Sequence, residues 1–175
     1  MGYLAVTGRV GLATVFVLAV AGKVIGRGAF LEFTRSVTRL TGWSGRPARV
    51  AARLTVAGET ATVVLALLPP RWCGLAGCLL GLLLTAGFTI AVGASLRRGE
   101  AAPCRCFGRS STPLGARHLL RNAVLLLIAG VGLVGQWPDP AMSPAVVLTG
   151  AAAGLFLGLA VAAFDDIVGL LAPLA

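Results

Sequence analysis

Two cysteines separated by one residue are the residues in the sequence best suited to chemistry. Cys104 and Cys106 flank Arg105 between Pro103 and Gly108, with other arginines nearby. Positive charge favours the thiolate, the form of cysteine that attacks a disulfide or binds a soft metal ion. A bridge between such close neighbours closes a small, strained ring, and strained disulfides are readily reduced. The pair therefore suits thiol–disulfide exchange; the alternative is two unreactive small hydrophobic residues.

The single histidine, His118, lies twelve residues after Cys106, and Arg121 and Asn122 follow one helical turn later. If the intervening loop folds back, the imidazole can act as a base or charge partner for the thiols. Contact with a lipid headgroup or with the backbone is the alternative use of a histidine at a membrane interface.

Glu59 lies in the middle of an apolar stretch, where a carboxylate must face the protein interior, be protonated or be paired. Lys23 is the expected partner, and Arg121 is the second choice. The pair is either purely structural or a proton-handling group beside a thiol or quinone site.

Cys73 and Cys78 form a possible second thiol pair, at the opposite end of the molecule from the first. Residues five apart on a regular helix point about 140° away from one another. A bridge between them requires an unwound first turn, so packing is the favoured role.

The elements that must position these residues are membrane-spanning helices. The chain of 175 residues is 57% hydrophobic and only 12% charged. Five apolar stretches are long enough to cross about 30 Å of hydrocarbon, and they are continuous rather than alternating as in a β-barrel. The predicted spans are residues 4–26, 50–68, 73–95, 119–136 and 145–164. An interfacial amphipathic segment is predicted over 27–47, and residues 1–175 are expected to form a single membrane domain.

Basic residues are distributed unevenly between the two ends of this predicted bundle. One end carries Lys23, Arg27, Arg35, Arg39, Arg46, Arg49, Arg53, Arg97, Arg98, Arg105, Arg109, Arg117 and Arg121, whereas the other has only Arg9 and Arg71. The positive-inside rule then places the N-terminus outside and the Cys104–Cys106 loop in the cytoplasm. The net charge of +9 therefore indicates attraction to the lipid bilayer rather than to nucleic acid.

Small residues recur at helical spacing, as in Gly74-x-x-Gly77 and the run Gly150, Gly154, Gly158. They allow two helix backbones to approach closely. The expected use is helix packing, either within the chain or between copies of it in a homo-oligomer.

The segment Pro103-Cys-Arg-Cys-Phe-Gly108, followed by His118-Leu-Leu-Arg-Asn122, resembles the signature of the MauE family of membrane proteins, associated with methylamine utilisation. Ala21-Gly-Lys23, the phenylalanine-bearing amphipathic stretch and Glu59 are similar to the first two helices of MauE and the wider DoxX-like group. The resemblance covers about residues 10–136. Most of its specificity lies in the cysteine segment.

This resemblance implies an all-α polytopic bundle with a four-helix MauE/DoxX-like core, to which this chain adds a fifth transmembrane helix. It implies a role in maturation of a partner, which in the family is the methylamine dehydrogenase small subunit, beside a thioredoxin-like companion. By position, Cys104 and Cys106 would be the redox pair, and Lys23, Glu59, His118, Arg121 and Asn122 would be supporting polar residues.

The leading hypothesis is a thiol–disulfide redox protein of a bacterial inner membrane, in which Cys104 or Cys106 attacks a partner's disulfide and electrons pass to a second acceptor. Whether it is an enzyme, a thiol–disulfide oxidoreductase, is left open. No cofactor is firmly indicated, although a quinone fits the scheme, and no resident metal site is assigned. The alternatives are a soft-metal, Cu(I)-binding membrane protein and a non-catalytic assembly subunit.

Overall fold

The computed structural model describes residues 1–98, 116–137 and 143–164, and this part of the chain is helical with no strand. Six helices follow one another in the order α1 (Gly2–Val24), α2 (Ala29–Thr41), α3 (Arg46–Leu67), α4 (Arg71–Arg97), α5 (Ala116–Gly135) and α6 (Pro144–Ala162). All except α2 are long and apolar enough to cross a membrane. The all-helical fold class is therefore confirmed, and each of the five predicted spans coincides closely with one of these helices.

Helix α1 is the central element of the bundle. It contacts each of the other five helices. Its most apolar window is 56% buried, against 22% in both α3 and α6. Leu12 and Phe16 of α1 are fully buried beside Cys78 of α4 and Ala129 of α5. The core of the molecule therefore surrounds the first helix.

Close approach between α1 and its neighbours depends on glycine. Gly150, Gly154 and Gly158 place α6 against Val6, Val10 and Thr14, so that the two helices run parallel. A Cβ atom on Gly154 would lie 2.6 Å from the Thr7 carbonyl oxygen. The small-residue face predicted from the sequence is thus covered within one chain, and formation of a homo-oligomer stays a prediction.

The amphipathic segment predicted between the first two spans is helix α2, which buries Phe33, Val37 and Leu40 and exposes Arg35 and Arg39. Its end is fixed to α4, because Arg98 Nη2 donates a hydrogen bond of 2.6 Å to the Leu40 carbonyl. We call this end of the bundle, where α1 and α4 end and α3 and α5 begin, the basic end.

Candidate functional site

A buried ion pair connects α1 with α3. Lys23 lies in the last turn of α1, and its Nζ is 2.6 Å from Oε1 of Glu59, near the middle of α3. The side chains are 1% and 0% exposed. The partner predicted for Glu59 is therefore present, which removes an isolated charge from the apolar interior.

Aromatic rings from two further helices cover the Lys23 ammonium. Its Nζ lies 5.0 Å from the ring centroid of Phe33 in α2 and 5.8 Å from that of Phe88 in α4. Both distances allow a cation–π attraction, which is strongest when water is excluded. Lys23 thus joins four helices, and the amphipathic helix closes the pair from the membrane surface.

The first two turns of α5 add three buried polar side chains, those of His118, Arg121 and Asn122. Asn122 Nδ2 donates to Thr89 Oγ1 at 3.2 Å. Arg121 is close enough to Lys23 to repel it electrostatically. We call Lys23, Glu59, Thr89, Arg121 and Asn122 the polar cluster, and His118 is buried one helical turn before Arg121 in α5.

Among the residues that the structure describes, the polar cluster contains two cations, Lys23 and Arg121, and one carboxylate, Glu59. Glu59 Oε2 is buried and accepts no hydrogen bond from any of the residues that the structure describes. Because the surroundings of these groups are apolar, their charges interact with neighbouring groups more strongly than they would in water. Among the described residues, Glu59 therefore keeps one carboxylate oxygen available to a hydrogen-bond donor.

Cys104 and Cys106 lie outside the described residues. The segment that carries them joins the end of α4 at Arg97 to the start of α5 at Ala116. Both of these helix ends belong to the basic end. His118, Arg121 and Asn122 follow in the first turns of α5, so the polar cluster lies at one attachment point of that segment.

Cys73 and Cys78 are free thiols on α4, which is continuous from Arg71 onwards. Cys78 is fully buried in the core beside Leu12 and Phe16, and Cys73 is half-buried. No unwound turn brings the two sulfurs together. Packing accounts for Cys78, and the helix gives no sign of a second thiol pair that could form a bridge.

The sequence did not single out a second buried polar site, at the end opposite the basic end. Arg9 Nε donates to the Ala66 carbonyl at 2.7 Å, and Nη2 donates to the Leu68 carbonyl. Pro70 has no N–H to bond the Ala66 carbonyl, so the guanidinium replaces the missing helical hydrogen bond. The sequence did contain a signal for this site, namely an arginine within the first span and two consecutive prolines after the second span.

Gln136 completes this opposite site, since its side chain is fully buried beside Arg9. Gly74 makes room for both, because a Cβ atom there would lie 2.9 Å from Arg9 Nη1 and from Gln136 Nε2. Near the same end, the Arg71 guanidinium lies 4.9 Å from the ring centroid of Trp137. Among the described residues, no group of three or more His, Cys, Asp or Glu side chains could hold a metal ion.

These features define a multi-pass helical membrane protein with a buried polar cluster at one end. The family model described as Methylamine utilisation protein MauE matches residues 1–135, and the chain belongs to this family. The match covers α1 to α5, and α6 lies beyond the matched residues. Comparisons with curated proteins and with solved structures gave no significant match.

Proposed function

We propose that the protein supports the maturation or redox state of a partner in methylamine utilisation by thiol–disulfide exchange at Cys104 and Cys106. The observation that carries the proposal is the presence of two buried cations, Lys23 and Arg121, at the basic end, where the cysteine segment is attached. A cationic surrounding stabilises a thiolate relative to a thiol. The arginines within the segment, such as Arg105, act in the same direction.

In the proposed exchange, one thiolate attacks a disulfide of the partner and displaces one of its sulfurs as a thiolate. The second cysteine then attacks the mixed disulfide, which leaves Cys104 and Cys106 bridged and the partner reduced. Two electrons and two protons pass from the pair to the partner. A thioredoxin-like protein, which carries a dithiol, can return the pair to its reduced form.

The basic end faces the cytoplasm in this proposal, in agreement with the positive-inside rule. That end holds the seven basic residues from Lys23 to Arg53. The cytoplasm keeps dithiols reduced, so a donor of electrons is available to Cys104 and Cys106 there.

Mixed-disulfide trapping tests the exchange. Changing Cys106 to Ser or Cys104 to Ser removes the resolving thiol, so one of the two variants should accumulate a covalent adduct with its partner. Cys73→Ser is the matched control and should trap nothing, because both loop cysteines are intact. Adducts would be collected by acid quenching and alkylation, then identified by mass spectrometry after non-reducing electrophoresis.

Two outcomes would contradict the exchange. Full function of the double variant Cys104→Ser/Cys106→Ser would indicate a non-catalytic assembly subunit. Stoichiometric uptake of Cu(I) that is lost in both single variants, without any adduct, would indicate a soft-metal site instead.

A further inference from the structure

An apolar groove runs along the first turns of α3 at the basic end. It has a volume of about 380 Å³ and is lined by Trp43, Arg46, Pro47, Val50, Ala51 and Leu54. Val50 and Leu54 are exposed, so the groove opens on the outer surface of the bundle rather than on its core. We call it the α3 groove. Its size and lining suit a hydrocarbon chain.

The turn between α2 and α3 places Trp43 at the mouth of the α3 groove. Gly42 and Gly45 have φ angles of 74° and 69°, which glycine adopts without strain, and they bracket this residue. The Trp43 amide donates to Thr41 Oγ1 at 3.1 Å, and the indole is 56% exposed. Tryptophan prefers the level of the lipid headgroups, so it marks the depth at which the groove begins.

Three exposed arginines follow one face of α3 beside the groove. Arg46 and Arg53 are seven residues apart, which brings them within about 20° of one another around the helix, and Arg49 lies within about 60° of both. Helical side chains lean toward the N-terminus, so Arg49 and Arg53 lean toward the same membrane surface as Arg46. Within the part of the chain that the structure describes, none of the three forms an ion pair or a side-chain hydrogen bond.

We propose that the α3 groove is a binding site for an anionic phospholipid. One acyl chain lies against Val50, Ala51 and Leu54, and the phosphate is bound by Arg46 with help from the other two arginines. Guanidinium groups bind phosphate through paired hydrogen bonds, and the positive end of the α3 dipole adds to the attraction. A zwitterionic lipid would fill the groove but leave the arginines without an anion. An acidic peptide would use the arginines but not the groove.

Quenching of Trp43 fluorescence by brominated lipid tests this site. The chain has three tryptophans, and Trp72→Phe/Trp137→Phe leaves Trp43 as the only reporter, with aromatic rings kept at the other end. Vesicles would contain dibrominated phosphatidylglycerol or dibrominated phosphatidylcholine in a background of unbrominated lipid. Half-maximal quenching is expected at a mole fraction of dibrominated phosphatidylglycerol at least tenfold lower than that of dibrominated phosphatidylcholine.

The charge requirement is tested by Arg46→Gln/Arg53→Gln in the same single-tryptophan protein. Because two of the guanidinium groups proposed to hydrogen-bond the phosphate are lost, the preference should fall by about tenfold, which would leave the two lipids nearly equal. Arg27→Gln/Arg97→Gln is the matched control, because both residues are exposed at the same end but do not line the groove. That control should keep most of the preference.

Three results would overturn the proposal. Equal quenching by the two lipids would mean that the groove does not select charge. No quenching by either lipid would mean that another part of the protein covers the groove. An equal loss of the preference for anionic lipid in the two double variants would mean that the basic end attracts anionic lipid in general, without a specific site. The preference of the single-tryptophan protein with all its arginines should also weaken as salt rises, which gives a readout independent of how the variants fold.

Discussion

Replacing Glu59 with alanine is expected to reduce the free energy of unfolding by about 3–5 kcal/mol, the usual cost of removing one partner of a buried ion pair. Lys23 would keep its charge between Phe33 and Phe88, with no carboxylate at 2.6 Å to compensate it. Arg121, which already repels Lys23, adds to the loss. The change would be measured by unfolding in mixed detergent micelles, with helicity followed by circular dichroism.

The double variant Lys23→Met/Glu59→Met separates the structural role of the pair from a functional one. Because it removes both charges and keeps the volume, its stability should return close to that of the unaltered protein. Glu32→Ala, on the exposed side of α2, is the control and should lose less than about 1 kcal/mol. A loss below about 1 kcal/mol for Glu59→Ala would contradict the buried pair. If the double variant is stable and still accumulates the adduct when it is combined with the Cys→Ser change that traps the partner, the pair would be purely structural.

Adding one methyl group at Gly8 is expected to cost about 3 kcal/mol, at the upper end of the range for overpacking a core. A Cβ atom there would lie 2.4 Å from Gly132 Cα and 3.1 Å from the Ile128 carbonyl oxygen. These are backbone atoms of α5, which cannot rotate away as a side chain can. Gly8→Ala must therefore push α1 and α5 apart and loosen the core around Leu12 and Phe16.

Gly130→Ala is the matched control for this change, because the added methyl group would meet no described atom from another helix within 4 Å. It should be neutral or slightly stabilising, since alanine favours a helix more than glycine does. Unfolding in mixed micelles would compare the two variants directly. Equal stability of Gly8→Ala and Gly130→Ala would show that the two helices do not approach as closely as described.

Some features of the fold follow from the sequence alone, because they depend on the length of a single segment or on the cost of burying a single charge. Continuous apolar runs indicated the five spans, since crossing the hydrocarbon requires a minimum length. The pairing of Glu59 with Lys23 followed from the cost of an isolated carboxylate at that depth. Glu59 had few possible partners, because most cations lie nearer to the membrane surface.

Other features depend on how the helices are arranged and were therefore not predicted. All five spans have similar hydropathy, so nothing local marked α1 as the central helix. Gly150, Gly154 and Gly158 indicated close packing, but not that α1 is the helix they face. The contact between Arg9 and the end of α3 joins residues 57 positions apart, and only the fold brings them together.

Labelling of cysteines with a membrane-impermeant thiol reagent tests the central claim most directly, since it reports both the reactivity and the location of Cys104 and Cys106. The reagent would be applied to intact and to opened cells that produce a Cys73→Ser/Cys78→Ser protein, in which only the loop pair remains. We predict rapid labelling in opened cells and none in intact cells. Failure to label in opened cells after reduction, or labelling in intact cells, would contradict a reactive pair at a cytoplasmic basic end.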